Sequence, residues 1–296
     1  MTVPLRVWKQ PWNDTSSVHP SVITYLRCPV CRGPLSSADR ALRCPEGHSF
    51  DISRQGYLDL TAGRQAHTGD TAEMVAARDA LLSAGHFDAL AQAVTESVHS
   101  ATGSSGEGAI VEVGSGTAHY LKASIRQIAN VGIAIDTSKP ALRRAAKAHD
   151  RIGAVRADIW RGLPLADHAA AVILDVFAPR SGEEFARVLR PDGVLIVATP
   201  ADGHLAELVD ALGLIRVDPA KRERLHKSLD PWFTLAGERR VRAPLALTRN
   251  DAAALVGMGP SAWHTDPATI TAALDAIPAP VTATLDVDLT TWRPIS

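Results

Sequence analysis

The chain has no apolar run of 18 residues, so no stretch of it is long enough to cross a bilayer as a helix. Its first 20 residues lack the apolar core of a secretory signal. Net charge is nearly absent: 31 basic residues stand against 32 acidic ones, which leaves −1. That balance argues against a protein that coats nucleic acid by bulk charge, although a local basic face is still allowed. There are only three cysteines, all between positions 28 and 44. An odd number crowded into so short a stretch points to metal rather than disulfides, and so to a reducing cytoplasm. What is there is ordinary for a water-soluble protein. The 296 residues, 46% of them hydrophobic, allow one large or two modest domains. A chain of this size buries roughly three quarters of its unfolded surface and needs no staples.

The chain is organised around Ala109 to Tyr120, Ala-Ile-Val-Glu-Val-Gly-Ser-Gly-Thr-Ala-His-Tyr. Ile110–Val113 reads as a buried parallel strand that turns at Gly114-Ser-Gly116 into a helix-compatible segment. A strand turning on glycines into a helix brings bare backbone N–H groups close to a ligand. The next apolar run, Val131–Ile135, ends in Asp136, placed to hydrogen-bond the hydroxyls of a ribose. A dinucleotide or S-adenosylmethionine would fit this frame. A dinucleotide wants a third glycine in register, and Ala118 leads on without one. Glu112, just before the loop, suits the ammonium of a methionine group better than a pyrophosphate. The pattern therefore favours S-adenosylmethionine.

Upstream, Cys28-Pro-Val-Cys31 and Cys44-Pro-Glu-Gly-His48 are two knuckles separated by twelve residues. Converging on one ion, they supply the four ligands of a closed, structural, tetrahedral zinc site. Gly33-Pro34 and Glu46-Gly47 are turn signals that let the backbone wrap the metal. Arg27, Arg32, Arg43 and Arg54 lie around the knuckles and are candidate RNA contacts, because guanidinium suits phosphate forks and base stacking. The resulting organisation is a flexible tail over 1–22, a zinc-binding RNA-recognition domain over 23–62, a helical linker over 63–106 and a catalytic domain over 107–296.

From Ala109 onward strands and helices alternate. Strands are expected at Ile110–Val113, Val131–Asp136, Gly153–Ala157, Ala170–Phe177 and Val194–Ala198, with Arg190-Pro-Asp-Gly193 as a tight turn into the fifth. Two alternating segments, around Arg240–Leu247 and Val281–Trp292, read as a closing antiparallel pair. The fold class is thus α/β: a Rossmann-like, mostly parallel seven-stranded sheet covered on both faces, with a small zinc ribbon before it. Ligands of such sheets lie at the carboxyl ends of the strands, where Glu112, Gly114, Gly116, Asp136, Asp158, Asp175 and Thr199 gather. Asp158 is placed to accept from an adenine amino group.

Several motifs together resemble a known family: Cys28-x2-Cys31, Cys44-x3-His48, Phe50-Asp51, Gly56-Tyr57, Asp70–Arg78, Ala84-Gly-His-Phe87, Gly114-x-Gly116, Phe177-Ala-Pro179, Ala198-Thr-Pro200, His204-Leu205 and Met258–Trp263. They are similar to those of the bacterial 23S ribosomal RNA guanine-N1 methyltransferases, class I S-adenosylmethionine-dependent enzymes. Val209–Leu214 and Phe177-Ala-Pro-Arg180 point to the branch that includes the tylosin-resistance enzyme of antibiotic-producing actinomycetes. The likeness runs from Tyr25 to the C-terminus. It implies S-adenosylmethionine as donor, N1 of one guanine in a domain II hairpin of 23S rRNA as acceptor, a zinc ribbon that contacts RNA, a homodimer, and a contribution to macrolide resistance. It also implies that Phe87, Gly116, Thr117 and His204 meet the donor. Asp175 could then take the N1 proton, and Phe177 or Trp263 could stack on the guanine. Two other readings are weighed beside this one: a natural-product methyltransferase, and a non-catalytic zinc protein that binds RNA.

Overall fold

The computed structural model describes residues 18–61, 63, 69–102, 106–214, 218, 220–258 and 267–295. The tail up to 17, the linker residues 103–105 and the motif from 259 to Trp263 lie outside them.

The N-terminal part is short strands and turns. After α1 (Pro20–Ile23), three strands form an antiparallel sheet in the order β1 (Ser36–Ala38), β2 (Ala41–Arg43), β3 (Ser49–Asp51). The main sheet contains β5 (Ala109–Val113), β6 (Gly132–Asp136), β7 (Ile152–Arg156), β8 (Ala170–Val176), β9 (Leu189–Pro200), β10 (Phe233–Leu247) and β11 (Val281–Pro294). These are the seven strands expected from the apolar pattern. An eighth, β4 (Leu58–Asp59), pairs parallel with β7 and covers the edge that β7 would otherwise leave bare. The order is β10-β11-β9-β8-β5-β6-β7-β4, with β11 antiparallel to both neighbours. Every residue of β5 is buried, as a strand covered on both faces must be.

The small sheet and the large one share a core. Leu26, Cys28, Leu42 and Cys44 belong to one buried cluster with Val111, Ile133 and Leu165. Backbone bonds cross the same junction: Arg27 N–H donates to Pro164 O at 2.9 Å, and Ala166 N–H to Tyr25 O at 2.8 Å. Asp59, at the end of β4, accepts from Arg156 Nη1 at 2.8 Å.

Helices α2 (Ala72–Ser83), α3 (Asp88–Thr102), α4 (His119–Ile125), α5 (Lys139–Ala145), α6 (Gly182–Val188), α7 (Ala206–Leu212), α8 (Lys221–Leu229), α9 (Arg249–Gly257) and α10 (Pro267–Asp275) complete the description. Thr71, Ser138 and Ser181 cap α2, α5 and α6 through their hydroxyls, which explains where those helices begin. Two features differ from the pattern-based expectation. Arg190–Gly193 is strand rather than turn, because Leu189 already pairs with Ala170 and the ladder runs on through a register shift. Helix α8 had no sequence signal: its apolar stripe is only Leu225 and Leu229, buried in the cluster that holds Phe233 and Trp292.

Candidate functional site

A continuous chain of contacts runs along the carboxyl ends of β6, β5, β8 and β9. Asp136, at the tip of β6, accepts from Gly116 N–H through one carboxylate oxygen and from Ser138 N–H through the other, both at 2.8 Å. Gly114 and Gly116 have φ of 63° and 53°, the left-handed region that glycine enters without cost. A Cβ on Gly114 would lie 2.6 Å from Ala178 Cβ, so the glycine loop presses against the turn after β8. On that turn Phe177 also has a left-handed backbone, φ 56°, uncommon for a bulky residue, and its ring is 42% exposed. Its ring centroid lies 5.9 Å from that of His204, on the turn after β9. Strain of this kind marks places where the fold presents a side chain for use.

The acids along this edge differ in state. Glu112 is buried and accepts from Leu121 N–H in the first turn of α4 at 3.2 Å. Burial, with Asp136 nearby, pushes its carboxyl up to about 8. Asp136 is also raised, chiefly by burial. Asp158 caps the turn after β7 by accepting from Trp160 N–H at 3.1 Å. It lines a small crevice with Arg32, Leu60 and Arg161 at the junction with the small sheet.

Helix α2 closes one side. A Cβ on Gly69 would lie 2.6 Å from Ser138 N, and Ser138 Oγ donates to Asp70 O at 2.8 Å, so the chain before α2 lies directly on the tip of β6. Arg78 pairs with Asp70 and approaches Gly116. Phe87 and Thr117 are both buried, Phe87 in the core cluster that contains Ala118 and Leu121.

Three of the expected residues already have partners inside the protein. Asp175, taken as a proton acceptor, has no exposed surface, and both its oxygens are engaged: one accepts from Arg180 Nε at 2.9 Å, the other from Ala178 N–H at 3.1 Å. Burial raises its pKa to about 6 against the pull of Arg180. A carboxylate tied this way shapes the Phe177 turn. Arg27 and Arg32, expected to face RNA, both donate to backbone carbonyls, and Arg32 stays exposed. Arg27 Nη1 donates to Leu26 O at 2.8 Å, and Arg32 reaches Leu163 O and Leu165 O at 2.9 and 3.1 Å, bracing the junction. Arg43 and Arg54 remain exposed.

His204 is set by a second layer. Its Nδ1 accepts from Asp286 N–H at 3.2 Å, so the neutral ring carries its proton on Nε2. Burial lowers its pKa to about 4. Asp286 in turn accepts two bonds from Arg240, at 2.5 and 2.7 Å. Arg180, the last residue of the Phe177-Ala-Pro-Arg180 motif, turns back onto Asp175.

In the small sheet the donor atoms of Cys28, Cys31, Cys44 and His48 all lie within 4.8 Å of one another. Cys44 Sγ is 3.2 Å and Cys28 Sγ 3.6 Å from His48 Nδ1, and Cys31 Sγ is 3.6 Å from Cys44 Sγ. Zinc bonds of about 2.0–2.3 Å put tetrahedral ligand atoms roughly 3.3–3.8 Å apart, so three thiolates and one imidazole fit zinc here and leave no open position.

Comparison with known proteins agrees with this geometry. Residues 26–65 match a zinc-ribbon family described as RlmA, N-terminal, and residues 111–197 match a methyltransferase domain. A Streptomyces fradiae protein named 23S rRNA (guanine(748)-N(1))-methyltransferase is 45% identical, over 93% of this chain and 99% of its own length. A Micromonospora griseorubida protein, provisionally named 23S rRNA (guanine-N(1)-)-methyltransferase, is 53% identical over 94% of this chain and all of its own length. A Bacillus subtilis protein with a similar provisional name is 30% identical over 88% of this chain. The ribbon is therefore a structural zinc site, the second domain an S-adenosylmethionine-dependent methyltransferase, and the chain belongs to the 23S rRNA (guanine-N1)-methyltransferase family.

Proposed function

We propose that this protein transfers the methyl group of S-adenosylmethionine to N1 of one guanine in a 23S rRNA hairpin, with the base stacked on Phe177. The observation that carries this reading is the continuity of the site. Asp136 bonds the glycine loop, that loop presses on the turn that holds Phe177, and Phe177 packs on His204, which supports donor and acceptor subsites that share one wall. S-adenosylmethionine supplies a methyl group on an electrophilic sulfonium, and the protein's task is to line up that carbon with the attacking nitrogen. Glu112 and Asp136 are placed for the methionine ammonium and the ribose, Gly116 and Thr117 for close backbone approach, and Asp158 for the adenine. An exposed aromatic ring in a pre-formed turn suits a base taken out of its loop stack. His204 Nε2–H is a donor for an acceptor oxygen on either substrate.

Arg27, Arg32, Arg43 and Arg54 on the ribbon, the last three exposed, are the candidates for the rRNA backbone. The S. fradiae relative makes guanine 748 the first target to examine, and by the same kinship the product is one half or the whole of a macrolide-resistance mark. A homodimer whose cleft holds the hairpin, working in the cytoplasm, completes the reading; no helix among the described residues is long and apolar enough to cross a membrane.

Primer extension on 23S rRNA incubated with the protein and S-adenosylmethionine tests this, because N1-methylguanine blocks reverse transcriptase. A stop at one guanine, lost when that guanine is replaced, is the expected result. Label in a small metabolite with none in RNA would establish the natural-product reading instead. No transfer to RNA, with binding intact, would establish a non-catalytic one.

A further inference from the structure

Guanine N1 carries a hydrogen, and its electron pair can attack carbon only as that hydrogen leaves. The negative charge so produced spreads over N1 and O6 of the base. A site for this reaction gains most from hydrogen-bond donors fixed where that charge develops. The turn around Phe177 holds such donors. Asp175, fully buried, accepts from Ala178 N–H at 3.1 Å through one oxygen and from Arg180 Nε at 2.9 Å through the other. Arg180 Nη2 lies 3.4 Å from Ala178 O, so the guanidinium folds back against the residue that follows Phe177. Ala178 also presses its methyl on Gly114 of the glycine loop. One residue thus touches the donor loop with its side chain and the guanidinium with its carbonyl.

Arg180 has more hydrogens than this turn uses. A guanidinium carries five N–H donors. Nε is taken by Asp175 and Nη2 reaches Ala178 O, while Nη1 has no hydrogen-bond partner among the described residues. The side chain keeps 16% of its surface exposed, so the free edge can be reached from outside. The charged groups that act on it are Asp175 on β8 and Lys221 at the start of α8. His204, stacked against the Phe177 ring, is a second donor: Nδ1 accepts from Asp286 N–H, which leaves the hydrogen on Nε2. Among the described side chains bonded into this turn or stacked on its ring, the one carboxyl is buried and the other two polar groups present hydrogens.

We propose that Arg180, anchored through Nε on Asp175, donates from Nη1 to O6 of the target guanine and stabilises the anion that forms as N1 loses its hydrogen. This rests on the functional reading above. Hydroxide from solvent takes the N1 hydrogen, the N1 electron pair forms the new N1–CH3 bond, and the S–CH3 bond breaks with its pair left on sulfur. Guanine, hydroxide and sulfonium become N1-methylguanine, water and thioether, and no net charge stands on either side. Asp175 is a positioning residue here: one carboxylate fixes both the guanidinium and the Ala178 peptide, so donor and turn are set together. The same contact selects the base. Adenine carries an amino group where guanine carries O6, and would set hydrogens against hydrogens.

The test is single-turnover methyl transfer to the hairpin transcript as a function of pH, for wild type, Arg180→Gln and Arg180→Lys. Cofactor affinity and melting temperature are measured alongside. We expect Arg180→Gln to transfer about 10²–10³-fold more slowly at neutral pH, the cost of one lost donor to a developing oxyanion, and to bind S-adenosylmethionine as wild type does. The deficit should shrink as pH rises, because in alkaline solution N1 loses its hydrogen without help. Arg180→Lys keeps a cation beside Asp175 and carries the same criteria if Arg180→Gln does not fold. A point charge without the planar fork cannot serve Asp175 and O6 together, so it should show the same pH-dependent deficit. A folded variant within threefold of wild type at neutral pH overturns the proposal. So does a deficit of equal size at every pH, which is what a merely distorted turn produces. If wild type itself leaves the RNA unlabelled, the functional reading fails first and takes Arg180 with it. That outcome is distinct from an active wild type with active variants.

Discussion

Glu112 shows how one residue's surroundings decide its chemistry. Its carboxyl sits among buried apolar residues with a single backbone N–H and another acid for company, and its pKa is pushed up to about 8. The sign follows directly. Between the ordinary value of 4.5 and about 8 the folded protein keeps a proton that the unfolded chain releases, so stability falls as pH rises through that window. Glu112→Gln cannot ionise. Its melting temperature should lose that part of the pH dependence, and its advantage over wild type should grow from pH 4.5 to pH 8 by a few kcal/mol at most. Parallel melting curves across this range check it; identical slopes for the two proteins would show that Glu112 does not carry the effect. His204 works in the opposite direction. Its pKa of about 4 means that the unfolded state binds a proton first as pH drops below the usual imidazole range, so stability is lost as pH falls toward 4.

At the scale of elements, the site depends on how closely α2 approaches the sheet. Gly69 lies on Ser138 with no room for a methyl group, and the atoms it would meet include backbone, which cannot swing aside. Gly69→Ala should therefore push the start of α2 off the tip of β6, at a cost of about 1–3 kcal/mol. Because Asp70, Arg78 and Asp136 meet there, cofactor affinity should drop while the ribbon is untouched. Calorimetric titration with S-adenosylmethionine reads this out; unchanged affinity would mean that the α2 approach is packing without consequence for the donor site. One local signal for these elements was plain in the chain, the glycines after β5. The approach of α2 to β6 was not, because residues 69 and 138 interact only once the sheet has formed.

At the scale of the whole molecule, the ribbon is part of the main core and not an appended reader. Cys28 and Cys44 pack in the same cluster as β5 and β6 residues, β4 extends the large sheet, and Arg32 clasps the Leu163–Leu165 backbone. Metal binding is folding energy for a zinc ribbon. Stripping zinc with a chelator should lower the melting temperature of the entire protein in one transition and weaken S-adenosylmethionine binding. Two separate transitions, with cofactor affinity preserved, would show the ribbon to be energetically independent. Asp158 lines the crevice at the ribbon junction.

The amino-acid order by itself determined what neighbours along the chain can enforce. A Cys-x2-Cys knuckle can wrap a metal, and a strand ending in glycines can open a helix toward a ligand, because a few adjacent dihedrals set each arrangement. It likewise set the run of buried strands, since apolar continuity needs no partner to be recognised. Tertiary structure alone decided which charges are free. Asp175 reads as a solvent-facing acid until Arg180 and Ala178 close on it, and Arg32 as a bare surface cation until it clasps the Leu163 and Leu165 carbonyls. A side chain's chemistry is fixed by the partners that take its lone pairs or hydrogens and by the water that is driven off, and both come from segments distant in sequence.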